Sequence, residues 1–124
     1  MAVMTSNAIQ KQLKTLRPKV SRHFTKIGKY NISPNYEPIT VIKEYETLAN
    51  NIYLADYFFE QSKFAQNTFQ KKNYEKVAQL LIDSYFSDLY IESKEDFNEL
   101  LCVYGDFKNP QGILAHYEYA TQII

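Results

Sequence analysis

The sequence predicts an all-α protein, a small single-domain helical bundle of about six helices. Its 124 residues suit one domain, and a chain of this length buries enough surface to fold without a metal or a disulfide. Only three glycines and four prolines limit the number of turns, which favours long elements. Apolar residues recur at helical spacing through most of the chain, and this period is the main signal for α-helices.

The first thirty residues, here called the head, are predicted to form two short helices. The first covers residues 6–17, and the second covers 18–27, because Pro18 breaks the backbone hydrogen bonding of one helix and suits the first position of the next. Gly28 is expected to end the second helix. The apolar stripes of the two helices consist of Ile9, Leu13 and Leu16, and of Val20, Phe24 and Ile27.

The remaining residues, 31–124, are here called the body, and their longest predicted helix covers about 39–64. Residues 29–38 are read as a loop, and Pro38 can open the helix that follows. Residues 39–43 are rich in β-branched side chains, so a short strand there stays open as an alternative. The helical apolar period is held by Val41, Ile42, Tyr45, Leu48, Ala49, Ile52, Tyr53 and Phe59.

Three further helices are predicted in the body. The polar residues 65–73 separate the long helix from one over about 74–91. Ser93 and Asp96 resemble a capping box, so the next helix is expected to begin there and to stop at Gly105. A last helix covers about 113–124, with Ile113, Tyr117, Ala120 and Ile124 on one side. Cys102, the single cysteine, lies among apolar residues and is expected to be a buried, inert thiol.

The charges are divided between the two parts of the chain. The net charge is zero, but the head contains half of the fourteen Lys and Arg residues and none of the fourteen Asp and Glu residues. Such a division indicates an interaction surface whose partner is acidic, either a protein or a nucleic acid. The basic residues of the head are Lys11, Lys14, Arg17, Lys19, Arg22, Lys26 and Lys29.

No pattern in the sequence indicates an enzyme. His23 and His116 lack the spacing of metal ligands, and no nucleophile lies beside a recognisable base. We therefore expect no catalytic residue, no metal site and no cofactor. No apolar run approaches the roughly 18 residues of a membrane span, so we expect no membrane partner and an intracellular, cytoplasmic location.

Residues 9–24 resemble a Crp-like helix-turn-helix DNA-binding motif. Ile9, Leu13 and Val20 have the spacing of that motif, although Lys14 stands where its turn usually has glycine. The resemblance implies that the second helix reads DNA, with its polar residues facing bases and phosphates. Those residues would be Arg17, Lys19, Ser21 and Arg22.

Two functions follow as expectations. The first is a non-enzymatic helical interaction protein, such as an accessory, inhibitor or immunity protein or an assembly subunit, which engages an acidic partner through the head. The alternative is a DNA-binding regulator or a replication or packaging accessory. Homo-oligomerisation and membership of a larger assembly both stay open. The expected binding residues are Lys11, Lys14, Arg17, Lys19, Ser21, Arg22, Lys26 and Lys29.

Overall fold

The computed structural model describes residues 6–27, 47–89, 91 and 93–121, with the backbone alone at residues 6, 19–27 and 47–49. These residues form an all-α fold without strands, which confirms the predicted fold class, with five helices where about six were predicted. The helices are α1 (Ser6–Ile27), α2 (Thr47–Lys63), α3 (Thr68–Phe86), α4 (Lys94–Glu99, continued by a π-helical turn at Leu100–Tyr104) and α5 (Gln111–Thr121).

Residues 6–27 of the head form one helix and not two, which corrects the predicted break at Pro18. Helix α1 runs through Pro18 without ending. Proline removes one backbone donor, but its fixed φ is close to the helical value, so the chain can continue in a helix beyond it. The resemblance of residues 9–24 to a helix-turn-helix motif stays a prediction.

Helix α2 is the centre of the fold. Every side chain from Asn50 to Phe59 is buried, so the helix is covered on all sides, and it packs against α1, α3 and α5. The burial of α2 agrees with the prediction that this helix lies at the centre of the fold. Ile52, which belongs to its predicted apolar period, is fully buried. The predicted start at residue 39, the strand alternative, the loop at 29–38 and Gly28 lie outside the described residues.

Helix α3 begins six residues before its predicted start and ends five residues before its predicted end. The Asn67 side chain accepts a hydrogen bond from the Gln70 N–H at 2.8 Å, and this cap starts the helix within a polar, solvent-facing stretch. After Phe86 the chain turns through Asp88, whose φ of 55° is left-handed and cannot continue the helix. Residues 65–73 were predicted to separate two helices because they have no apolar stripe. The stripe is missing because the first turns of α3 face solvent, and not because the helix is interrupted there.

Helix α4 has the predicted start and the predicted stop. The Ser93 hydroxyl accepts a hydrogen bond from the Asp96 N–H at 3.2 Å, which confirms the cap. Gly105 follows the π-helical turn, and a Cβ there would lie 2.6 Å from Leu80 Cδ1 and 2.8 Å from the Leu101 carbonyl oxygen. Glycine is therefore needed at this close approach to α3.

Cys102 is exposed, which corrects the prediction that its thiol is buried. It lies in the π-helical turn, where Leu100 and Leu101 are buried while Val103 points to solvent. Leu100 and Leu101 make the contacts of this short turn with the core, and the next two side chains, Cys102 and Val103, face solvent. Apolar neighbours in the sequence were thus a poor guide to the burial of this thiol.

Helix α5 packs against α2 and α4 and covers part of the core. It begins two residues before the predicted start, because the Pro110 carbonyl already accepts a helical hydrogen bond from the Leu114 N–H at 2.9 Å. Ile113, Tyr117 and Ala120 are buried, as the predicted stripe requires. Residues 122–124, with Ile124, lie outside the described part.

Stacked aromatic rings join three of the helices. The Phe97 ring of α4 stacks on Phe58 of α2, with ring centroids 5.7 Å apart, and on Tyr117 of α5, with centroids 4.5 Å apart. Offset-stacked rings at these distances stabilise a core beyond their buried area. Much of the high aromatic content of the chain is thus structural.

The buried stripe of α1 gives a test of whether the head belongs to the core. We expect Leu13→Ala to lower the free energy of unfolding by roughly 2–5 kcal/mol, because Leu13 is fully buried and its truncation leaves a cavity. The matched control, Lys14→Ala, changes an exposed neighbour and should stay within about 0.5 kcal/mol. Urea denaturation followed by circular dichroism measures both. Equal midpoints for Leu13→Ala and the wild-type protein would contradict the packing of α1 on the body.

Candidate interaction surface

The first half of helix α1 turns an apolar stripe to the body and two lysines to solvent. Ile9, Leu13 and Leu16 are each at most 2% exposed, as their spacing predicted. Lys11 and Lys14 lie on the opposite side of the helix and are exposed. Packing of the stripe therefore fixes which cations of α1 a partner could reach.

Arg17 is held by an ion pair inside the protein. Its Nε donates to Asp56 Oδ1 at 2.8 Å, and one of its terminal nitrogens lies 2.7 Å from the same oxygen. The Asp56 side chain is fully buried in α2, while a quarter of the Arg17 side chain is exposed. A buried carboxylate needs a cation and hydrogen bonds to offset the loss of water, and Arg17 supplies both.

The pairing of Arg17 was missed from the sequence, although a signal for it was present. Asp56 is an acid within the apolar run from Ile52 to Phe59. An acid on an otherwise buried helix implies a basic partner from another element. Which cation of the head would reach it could not be decided, because that depends on how α1 crosses α2.

The other expected binding residues divide into three groups. Lys11 and Lys14 are exposed, and no carboxylate of the described residues lies within ion-pair distance of either. Lys19, Ser21, Arg22 and Lys26 belong to α1, but only their backbone is described, and Lys29 lies outside the described residues. The binding role of all these residues stays a prediction.

A cleft lies between α1 and the end of α3, beside the exposed lysines. It has a volume of about 230 Å³ and is lined by Lys11, Gln12, Thr15 and Leu16 of α1 and by Phe86 of α3. Phe86 is 63% exposed. The Gln12 side-chain oxygen is buried without a hydrogen-bond partner in the described part of the chain. The cleft thus combines a cation, an apolar ring and an unused acceptor.

The exposure of Phe86 had a weak signal in the sequence. Tyr85 and Phe86 are adjacent on a helix, and neighbouring residues of a helix point about 100° apart, so both rings cannot face one core. From the sequence, no role of Phe86 was predicted. Its proximity to Lys11 depends on the packing of α1 on α3, which no local pattern encodes.

A second, larger groove lies between α2 and α5 on another part of the molecule. Its volume is about 460 Å³. The Tyr57 hydroxyl and His116 Nδ1 form a hydrogen bond of 2.9 Å on its floor. The groove is lined by Tyr57, Gln61, Gly112, Ala115, His116 and Tyr119.

The two titratable groups on this floor are both held neutral. Burial, with smaller electrostatic effects of Tyr119 and Tyr74, raises the pKa of Tyr57 to about 12. Burial also lowers the pKa of His116. The hydrogen bond forms with Tyr57 donating when the imidazole proton is on Nε2, and with His116 donating when that proton is on Nδ1. No role of His116 was predicted from the sequence, because its partner Tyr57 is 59 residues away.

No family model, curated protein or solved structure matches the chain. Within residues 6–27, 47–89, 91 and 93–121, no helix has the length and apolar content needed to cross a membrane. The same residues bring together no group of three His, Cys, Asp or Glu side chains that could hold a metal ion. Functional inference therefore depends on the two surfaces described above.

Removal of the Arg17 charge tests the internal ion pair. We expect Arg17→Met to lower the free energy of unfolding by about 3 kcal/mol, at the lower end for a broken buried pair, because part of Arg17 is exposed. The double variant Arg17→Met with Asp56→Asn should recover part of that loss, since no buried carboxylate is left. A double-mutant cycle by urea denaturation measures the coupling, and strictly additive effects would contradict the pair.

Because burial lowers the pKa of His116, we expect the stability of the protein to depend on pH. Because the pKa of His116 in the folded protein lies below its ordinary value of 6.5, the unfolded chain binds more protons as the pH falls below 6.5. The free energy of unfolding should therefore be highest above this pH and fall through the lowered pKa. His116→Gln does not titrate, so the difference between its pH profile and that of the wild-type protein isolates His116. Parallel profiles between pH 7 and about pH 5 would contradict this assignment.

Proposed function

We propose that this protein is a non-enzymatic interaction protein that binds an acidic surface of another protein through α1. The observation that carries the proposal is the exposed pair Lys11 and Lys14 next to the cleft at Phe86. Such a protein could act as an accessory, an inhibitor or immunity protein, or a subunit of an assembly. The binding surface would comprise the lysine side of α1 and the rim of the cleft.

Charge complementarity is the first argument. Helix α1 contains six basic residues and no acid. Two acids of the body pair with lysines of the body, Glu60 with Lys63 and Glu118 with Lys94, and Asp56 pairs with Arg17. An external acidic surface therefore explains the exposed Lys11 and Lys14 better than the body does.

The cleft is the second argument, and it favours a protein partner over DNA. A volume of about 230 Å³ is below that of a small-molecule site and suits one side chain of a partner. An apolar side chain of the partner would cover the exposed Phe86 ring. The phosphate groups of a DNA backbone are charged and polar, so they would leave that ring uncovered.

Exposed aromatic and aliphatic side chains support a role in protein interaction more generally. Exposed apolar surface of this kind is typical of binding surfaces when it is contiguous, and Phe86 lies beside the basic side of α1. Among the residues whose side chains are described, the large apolar ones that are more than half exposed are Phe64, Phe69, Phe86, Val103, Tyr104 and Tyr119.

Selection from a displayed library of random peptides tests the partner class without knowledge of the natural partner. We expect the selected peptides to combine several Asp or Glu residues with an apolar residue. The variant Lys11→Glu with Lys14→Glu should bind them at least about tenfold more weakly at low salt, and the difference should shrink near 1 M salt, where screening acts within about 3 Å. Fluorescence anisotropy measures the affinities.

The matched control makes the same charge change elsewhere. Lys71 and Lys72 are exposed on α3, and their reversal to Glu should leave the affinity for the selected peptides nearly unchanged. Equal loss in both variants would indicate a general effect of net charge and would contradict a site on α1. If a DNA duplex of random sequence binds more tightly than the peptides, with an affinity that falls steeply with salt, the DNA-binding alternative replaces this proposal.

A further inference from the structure

We propose that the groove between α2 and α5 is a second binding site, which takes a neutral, planar heteroaromatic ring carrying a hydrogen-bond acceptor, of the size of a nucleobase or nucleoside. Its volume of about 460 Å³ lies within the range of small-molecule sites. It is thus a different kind of site from the cleft beside Lys11, which suits one side chain.

The lining of the groove sets the charge and shape of the ligand. No Asp, Glu, Lys or Arg lines it, so a charged ligand would lose water without gaining an ion pair. The Tyr57 and Tyr119 rings lie 6.4 Å apart between centroids at an angle of 34°, and Tyr119 is 59% exposed. Tyr119 therefore offers an open ring face on which a planar ligand can stack.

The polar groups of the groove set the hydrogen bonds of the ligand. We assign the His116 tautomer in which Tyr57 donates to Nδ1, so that the imidazole presents an N–H at Nε2, for which the described residues show no acceptor. Gln61, which is half-buried on the same wall, adds an amide that both donates and accepts. A ring nitrogen or carbonyl of the ligand would accept from Nε2, while Gln61 would pair with a second polar atom.

Gly112 keeps the groove open. A Cβ at this position would meet nothing within 4 Å, so a larger side chain can be accommodated by the fold but would project into free space at the groove. Ala115 is also small. Gly112 lies in the first turn of α5, where alanine and leucine are better helix formers than glycine. Substitution at Gly112 therefore separates loss of the groove from loss of the fold.

Three probes test the class of ligand. Adenosine has the aromatic ring and the acceptors, indole has an aromatic ring without an acceptor, and ribose has no aromatic ring. We expect adenosine to give saturable shifts of the His116 and Tyr119 ring signals in NMR titrations, with a Kd on the order of 1 mM or below. Indole should bind more weakly, and ribose should not bind. No saturable shift with adenosine up to about 10 mM, or equal shifts with ribose, would overturn the proposal.

Three variants locate the binding. Gly112→Leu fills the groove and should weaken adenosine binding by at least about tenfold, whereas the matched Gly112→Ala should keep most of it. Tyr119→Leu removes the exposed ring face and should weaken binding without an effect on the core. All three should keep the helical circular dichroism of the wild-type protein. Unchanged adenosine affinity in Gly112→Leu or in Tyr119→Leu would show that the ring binds elsewhere.

The salt dependence separates this site from the one on α1. Binding of a neutral ring in an uncharged groove should be nearly independent of ionic strength, and it should be the same in the Lys11→Glu, Lys14→Glu variant. A loss of adenosine binding in that variant, or a steep fall with salt, would place the ligand on the basic side of α1 and overturn the proposal for the groove.

Discussion

The structure depends on one constraint, which is that helix α2 is covered on every side. A charged group on such a helix cannot reach water, so it needs a partner of opposite charge on a neighbouring helix. Asp56 meets this need through Arg17 of α1. The charge that was first recognised as part of a basic head is therefore also part of the core, and the ion pair fixes α1 on α2 at a defined position along its length.

The docking of α1 determines what the basic head can present to a partner. Ile9, Leu13 and Leu16 are used for packing and Arg17 for the ion pair, so Lys11 and Lys14 are the described cations left on the outer side. A helix already held by the body loses less conformational freedom on binding than a disordered basic tail would. One cation of the head thus has an internal role, and the binding role that we propose for the head would fall to the others.

The sequence was sufficient for the fold class and for individual helix faces, because these depend on local periodicity. The stripe of α1, the Ser93 cap and the stop at Gly105 were all predicted from residues within one or two helical turns of each other. The start of α3 at Asn67 was missed because an exposed first turn has no apolar period to detect. The Arg17–Asp56 and Tyr57–His116 pairs join residues 39 and 59 positions apart, and only the packing of the helices brings them together.

Asp56 and Tyr57 are consecutive residues of α2, and each contributes to a different surface. Because neighbouring residues on a helix point about 100° apart, Asp56 meets α1 while Tyr57 meets α5. Burial acts on the two side chains in opposite ways: Asp56 has a cation beside it, whereas Tyr57 and His116 stay neutral. The surface near α1 is consequently charged and sensitive to salt, and the groove near α5 is neutral and insensitive to it. One buried helix thus separates an ion pair from a neutral hydrogen bond by the rotation of a single residue step.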